Sequence, residues 1–303
     1  MFSKPLIATH SGHFHPDDVC AVATLHILLK GKYKLIRTRD QKIIDKADYV
    51  VDVGCIDDAS KKRFDHHQKG GAGKRESGAP YAAFGLVWKE YGEVLCGSKE
   101  IANEIDKKII AYADASDNGV DLLKQNEVVN KDTEAEISIE RPYSFADFLF
   151  SFNPPWNGVS DFDKDFKKAV PFAVTMLERE ITREKTSAEG KKISEKTYKE
   201  SADKRIIELS GNYPWRGVFT KYPEPLFVIK QNEDGTWNVK VVPVAKTGFE
   251  SRILFPEAWG GLNDNELAKV SGVSDARFCH TGRFIAVAGS REGAWALAQK
   301  ALE

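Results

Sequence analysis

No hydrophobic run in these 303 residues approaches the ~20 positions that a membrane helix needs, and no internal repeat marks a solenoid. Cysteine is scarce. The four that exist, Cys20, Cys55, Cys96 and Cys279, are widely spaced and form no CxxC pair, which argues for free thiols in a reducing compartment and against a structural zinc site. An excess of positive charge is also missing, since 44 Lys and Arg face 45 Asp and Glu, so no global field draws in nucleic acid and a polyanion must be held by a local patch. The first residues show neither the apolar core of a secretory signal nor an Arg-rich presequence. A cytoplasmic protein with no membrane partner is expected.

What is present is a globular composition, 42% hydrophobic and 29% charged, long enough for two domains. Leu6–Thr9 reads as a first strand, followed by a helix that Pro16, Asp17 and Asp18 open and Val19, Val22, Leu25 and Leu29 carry. Tyr33–Thr38 and Tyr49–Gly54 read as further strands, and Pro80–Leu95 and Lys99–Ala113 as helices. That alternation predicts an α/β domain on a parallel sheet over 1–160, with ligands outside the carboxyl ends of its strands. Within 161–303, a long helix from Asp161 to about Thr186, Pro171 notwithstanding, runs into a Lys/Glu-rich connector reaching Arg205. Strands at Leu226–Lys230 and Trp237–Val244, a turn at Asn232–Gly235 and a last helix capped by Ser290 complete a smaller α+β domain.

Five of the seven histidines, His10, His13, His15, His66 and His67, fall in the first 67 residues beside aspartates. Hydrolytic cations take oxygen ligands, with imidazole admitted for Mn²⁺, Fe²⁺ or Zn²⁺. Four stretches offer that mixture: His10 to Asp18, Asp52, Asp65 to His67, and Asp114 to Gly119. Each has a plain structural reading. Asp52 caps a turn, Asp17 and Asp18 complement a helix dipole, His66 and His67 form a surface pair, and Asp117-Asn118-Gly119 is a turn.

Taken in order, Thr9-His10-x-Gly12-x-Phe14-His15-x-Asp17-Asp18, Asp52-Val53-Gly54, Phe64-Asp65-His66-His67-Gln68 and Asp114-Ala115-x-Asp117-Asn118-Gly119 resemble the DHH phosphoesterase superfamily. With Glu257-Ala258-Trp259-x-Gly261-Leu262 and Cys279-His280-x-Gly282-x-Phe284, the resemblance is nearest to the melanocyte-proliferating-gene family, whose eukaryotic members are described as 3′-5′ exonucleases acting on RNA. It implies a DHH-type catalytic domain and a two-ion centre, Mn²⁺ first and Mg²⁺ second. His10, His15 and Asp17 would serve one ion, Asp52 would bridge, His66 and Asp117 would complete the second, and His67 would face the scissile phosphate. Superfamily relatives often carry His-x-Asn-Pro-Asp-x-Asp. Here Val19 stands at the second aspartate's place, so Asp18 is an alternative catalytic carboxylate, His13 an alternative to His10 and Asp114 to Asp117.

Arg252, His280, Gly282 and Arg283 are the candidates for holding substrate from the second domain, in a cleft between the domains, and a pyrophosphatase would need Lys246, Arg252 and Arg283 to converge there. Their plain readings are surface salt bridges and a core histidine. The implied substrate is RNA or a short oligonucleotide. A pyrophosphatase or small-nucleotide phosphatase with the same centre is the rival enzyme, and a metal-stabilised binding protein without turnover is the rival from another class. Oligomeric state is left open, a homodimer being one option.

Overall fold

The computed structural model describes residues 4–120, 128–129, 136–137, 143–159, 161–248 and 250–303. Residue 160, where the sequence reading puts its domain boundary, lies outside them. The chain is mixed α/β and divides into two compact units, Met1–Lys185 and Thr186–Glu303.

In the first unit β1 (Leu6–Thr9) leads to α1 (Pro16–Leu28), then β2 (Lys34–Arg37), a short α2 (Gln41–Ile44), β3 (Tyr49–Val51), β4 (Asp57–Asp58) and β5 (Arg63–Phe64). The sheet order is β2-β1-β3-β5-β4, parallel except for the antiparallel β4 edge. Because β2 lies on one side of β1 and β3 on the other, the strand order reverses between β1 and β3. That reversal opens a crevice outside the carboxyl ends of these two strands. Their next residues are His10 and Asp52. The expected strand to Gly54 stops at Val51, because Asp52 (φ +54°) and Gly54 (φ +95°) take left-handed conformations that end the ladder.

The α3 helix (Ala83–Cys96) begins three residues later than expected, since Pro80 is held in a bridge with Lys74. The helix expected over 99–113 is interrupted. α4 (Lys99–Ile105) passes through a π turn at Asp106–Ile110 into α5 (Ala111–Asp117), so Asp117 ends a helix where the sequence suggested a turn. Eight regular helical residues from Asp106 to Asp114 would overshoot two turns by about 80°, and the residue absorbed by the wide turn brings both carboxylates to one face. There Arg75 binds both, with Nε 2.8 Å and Nη2 2.7 Å from Asp106 and Nη2 2.8 Å from Asp114.

β6 (Val128–Val129) and β7 (Glu136–Ile137) pair antiparallel, and α6 (Phe145–Phe150) follows. α7 (Phe162–Glu200) is one 39-residue helix, so the Lys/Glu-rich stretch expected as a connector is mostly its continuation. Phe166, Ala169, Ala173, Leu177 and Ile181 form its buried stripe in the first unit's core. Pro171 is tolerated because it faces solvent, where water can serve the carbonyl it leaves unpaired.

The second unit holds β8 (Ile206–Leu209), α8 (Arg216–Phe219), β9 (Phe227–Gln231), β10 (Trp237–Val241), α9 (Asp264–Ser271), β11 (Ala276–Cys279), β12 (Ile285–Ala288) and α10 (Arg291–Lys300). Its sheet runs β11-β12-β10-β9-β8, with only β8 and β9 parallel. Ser290 caps α10 by accepting from the Gly293 amide at 3.0 Å. No helix among the described residues is long and apolar enough to cross a membrane.

Candidate metal centre

Three loops and one helix end converge at the crevice. His10 follows β1, and its Nε2 lies 3.1 Å from Asp18 Oδ2 and 3.3 Å from Asp52 Oδ2. Asp52 follows β3 and turns its other oxygen, Oδ1, to His66 Nε2 at 3.4 Å. His66 also approaches Asp117 Oδ2 at 3.1 Å, while Asp117 Oδ1 lies 3.7 Å from His15 Nδ1. Among the described residues three ligand groups arise, each with donor atoms within 4.8 Å of one another: His10, His15 and Asp52; Asp52, His66 and His67; His15, Asp17 and Asp117. Asp52 and His15 each belong to two of them. The left-handed backbone at Asp52, strained for most residues, is within reach of Asp and Asn and aims the carboxylate into the crevice.

The polar atoms here are close but unsatisfied. Both Asp17 oxygens, both Asp52 oxygens, Asp18 Oδ2 and His66 Nε2 are buried and lack an aligned hydrogen-bond partner among the described residues. Asp17 is 1% exposed. Burial, then Asp52, Asp117, Asp18 and Asp114, push its carboxyl well above the ordinary range. A buried carboxylate without a counter-charge costs several kcal/mol. Atoms that converge on a common point rather than on each other suit a cation between them.

Without cations the cluster holds protons instead. Burial disfavours charged His10, yet Asp18 and Asp52 outweigh it and lift its pKa from 6.5 to about 10; Asp117 and Asp52 do the same for His66, again to about 10. A folded-state pKa above the unfolded value contributes stability that is complete below 6.5 and lost as pH climbs toward about 10. The metal-free protein is therefore expected to melt roughly 5 °C or more lower at pH 9.5 than at pH 6.5. Calorimetry in EDTA checks this, and an unchanged or rising melting temperature contradicts it.

Other carboxylates position the ligands. Asp65 accepts from the Cys55 amide at 2.6 Å with one oxygen. With the other it takes the His67 amide at 3.1 Å and His67 Nδ1 at 2.7 Å. That bond occupies His67 Nδ1, which also lies 3.4 Å from Asp52 Oδ1, while the side chain stays exposed. Asp18, fully buried, accepts from the His15 amide at 3.0 Å, so it braces the loop as well as approaching His10.

Two alternatives from the sequence lie elsewhere. His13 is exposed, its ring 4.8 Å from that of Phe162, and it belongs to none of the three ligand groups. Asp114 has both oxygens engaged, Oδ1 by the Gly85 amide at 2.9 Å and Oδ2 by Arg75. Burial raises its pKa to about 7 against these partners. A Cβ on Gly85 would sit 1.8 Å from Asp114 Oδ2, so only glycine leaves room for this ion pair.

In the second unit, Arg252 donates to the carbonyls of Pro223, Pro225 and Thr220, which makes it a brace of that loop. His280 Nδ1 accepts from the Gly282 amide at 2.9 Å inside the β11–β12 turn, where Arg283 (φ +54°) donates to the Phe255 carbonyl at 3.3 Å. His280 is thus held by its own turn and the Arg283 side chain by the backbone at Phe255. Lys246 packs its stem near Gly217.

The sequence reading passed over Arg37, Arg39, Arg75, Gly85 and Asn153. Arg39 lies 3.3 Å from His10 Nδ1. Arg37, over the Phe14 and Phe166 rings, donates to the Gly12 carbonyl at 2.8 Å. Asn153 accepts from the Phe14 amide at 3.1 Å and donates to its carbonyl at 2.9 Å, pinning the loop between His13 and His15. None is foreshadowed by spacing, because the partners named here lie 23 or more positions away.

A family profile for MYG1_exonuc, described as an uncharacterised protein family (UPF0160), matches residues 6–302 and so takes in every residue of this centre. The chain belongs to the MYG1 family. The MYG1 protein of Caenorhabditis elegans is 32% identical over 98% of this chain and 95% of its own, and that of Saccharomyces cerevisiae 31% identical over 98% and 95%. The human MYG1 exonuclease is 28% identical over 100% of this chain and 87% of its own. Among solved structures, an exopolyphosphatase-related protein from Bacteroides fragilis aligns with 99% of this chain and 92% of its own at 10% identity. Its TM-score is 0.23, short of a shared fold. The MYG1 match spans both units, so the second unit is as much part of the family as the centre.

Proposed function

We propose that the cluster is a two-cation hydrolytic centre, of the DHH phosphoesterase kind, acting on phosphodiesters at the 3′ end of RNA. The observation that carries the two-ion reading is Asp52, which directs one oxygen to His10 and the other to His66, the placement of a carboxylate shared between two ions. His10, His15 and Asp17 would hold the first ion, His66 and Asp117 the second, Mn²⁺ suiting the mixed nitrogen and oxygen donors better than Mg²⁺. Bound cations supply Lewis-acid polarisation of the phosphoryl group and acidify a water.

The chain's own residues do the rest. Asp65 orients His67 so that Nε2 can hold a proton toward a phosphoryl oxygen. His10 Nδ1 lies 3.3 Å from the Ser11 carbonyl. Its Nε2 faces the Asp18 and Asp52 carboxylates, the side on which a cation would sit. Relatives named MYG1 exonuclease favour a nucleic-acid substrate.

The test incubates metal-stripped protein, reloaded with Mn²⁺ or Mg²⁺, with end-labelled RNA, DNA and pyrophosphate. Stepwise release of 5′-mononucleotides from the RNA 3′ end is expected. Orthophosphate from pyrophosphate with intact RNA would transfer the centre to small phosphates. No turnover on any substrate, with metal bound, would leave a binding protein.

A further inference from the structure

Trp156 is 97% exposed, the most exposed large apolar side chain among the described residues. It stands on a stiff mount. Pro154 and Pro155 restrict the backbone before it, and the Gly158 amide donates to the Pro155 carbonyl at 2.9 Å, closing a turn with Trp156 at its second position. Asn153, three residues earlier, is bonded on both sides to Phe14, the neighbour of His15. Three residues span at most about 11 Å, so the indole is mounted close to the loop that carries the candidate ligands.

Phe162 touches His13 of the same loop and begins α7, whose first turns present Lys164 and Lys167 to solvent. Their acidic neighbours are otherwise engaged. Asp161 accepts from the Lys164 amide, Asp163 pairs with Arg37 and Asp165 with Lys168. Neither Lys164 nor Lys167 has an ion pair among the described residues. An isolated aromatic face and free ammonium groups, both close to the loop of a phosphate-handling centre, form the pattern that holds a single strand, by base stacking and backbone attraction.

We infer that Trp156 is a stacking platform for an unpaired base of the substrate, next to the phosphate under attack, and that Lys164 and Lys167 attract the adjoining backbone. This rests on the proposed hydrolysis of nucleic acid and sharpens it to single-stranded substrates. Such stacking is sequence-tolerant, because every base offers a π face, and it gives the centre a grip that a small phosphate does not use.

Trp156→Ala and Trp156→Phe are compared with wild type in two measurements. In the first, anisotropy of a fluorescein-labelled ten-nucleotide oligo-U is followed in EDTA, where no turnover occurs. The alanine variant should bind about five- to a hundredfold more weakly, and the phenylalanine variant should recover most of the loss. An oligomer with abasic 3′-terminal positions should bind wild type and alanine variant alike. In the second, with Mn²⁺, the alanine substitution should raise KM for the oligonucleotide at least fivefold more than for bis-p-nitrophenyl phosphate, which carries no base.

Equal oligonucleotide affinity of wild type and alanine variant, or failure of wild type to bind, overturns the inference. So does a loss that persists on the abasic oligomer. A shift from dimer to monomer in sedimentation of the alanine variant, with oligonucleotide affinity intact, would assign Trp156 to a contact between copies of the chain. Binding in EDTA is read without turnover, so wild type that binds as described yet hydrolyses nothing sinks the catalytic reading and leaves the platform standing.

Discussion

Asp52→Asn is expected to lower oligonucleotide turnover about a thousandfold or more while leaving the fold intact. Asp52 is 2% exposed and serves both halves of the cluster. Burial opposes its ionisation, but contacts with His10 and His66 hold it below the ordinary carboxylate range, so it supplies a full negative charge. An amide keeps the shape and removes the charge. Losing several kcal/mol of charge stabilisation corresponds to three or more decades in rate. Asparagine is also the neutral side chain best suited to the left-handed backbone at this position. Alanine would add backbone strain and confuse the outcome. Single-turnover kinetics at saturating Mn²⁺, with a melting curve, decide the matter. Near-normal turnover would make Asp52 a structural cap.

Asp17→Asn should act in opposite directions with and without metal. Asp17 is buried with no donor for either oxygen, and burial together with the Asp52 carboxylate raises its pKa, so keeping it in the folded metal-free protein at pH 8 is unfavourable. The sign follows from linkage. A carboxyl raised in the folded state favours folding below its unfolded pKa and progressively disfavours it as pH rises above that value. In EDTA at pH 8 the asparagine variant is therefore expected to be more stable by about 3 kcal/mol, the scale of an uncompensated buried charge, and the gain should vanish near pH 4. With Mn²⁺ the order reverses, because wild type gains binding energy that the variant forgoes. Urea denaturation at both pH values, with and without metal, separates the arms. A variant less stable than wild type in EDTA at pH 8 would mean that Asp17 has a native partner other than a cation.

Much of the side-chain cluster was legible before any coordinates. Histidines concentrated beside aspartates, at ends of apolar runs, point to where such side chains can gather, because strand ends in a parallel sheet open on one edge. The parallel first sheet followed from alternation, and the part of α7 up to about Thr186 from its 3.6-residue stripe. The short strands β4, β5, β8, β11 and β12 were not legible, since two to four residues carry too little periodicity to stand out.

The choice among neighbouring candidates belonged to the tertiary structure. Asp114 and Asp117, three apart on α5, reach different partners, and only the π turn and the hole at Gly85 commit Asp114 to Arg75 and leave Asp117 for His66. His13 and His15 flank Phe14, which the core takes and Asn153 pins. One imidazole then goes to Phe162 and the other to Asp117. By itself the sequence determined which kinds of side chain were available and which strand ends carried them, because composition and periodicity are local properties of the chain. Which atoms share a point was decided by contacts between residues 14 to 102 positions apart, and no local pattern encodes those.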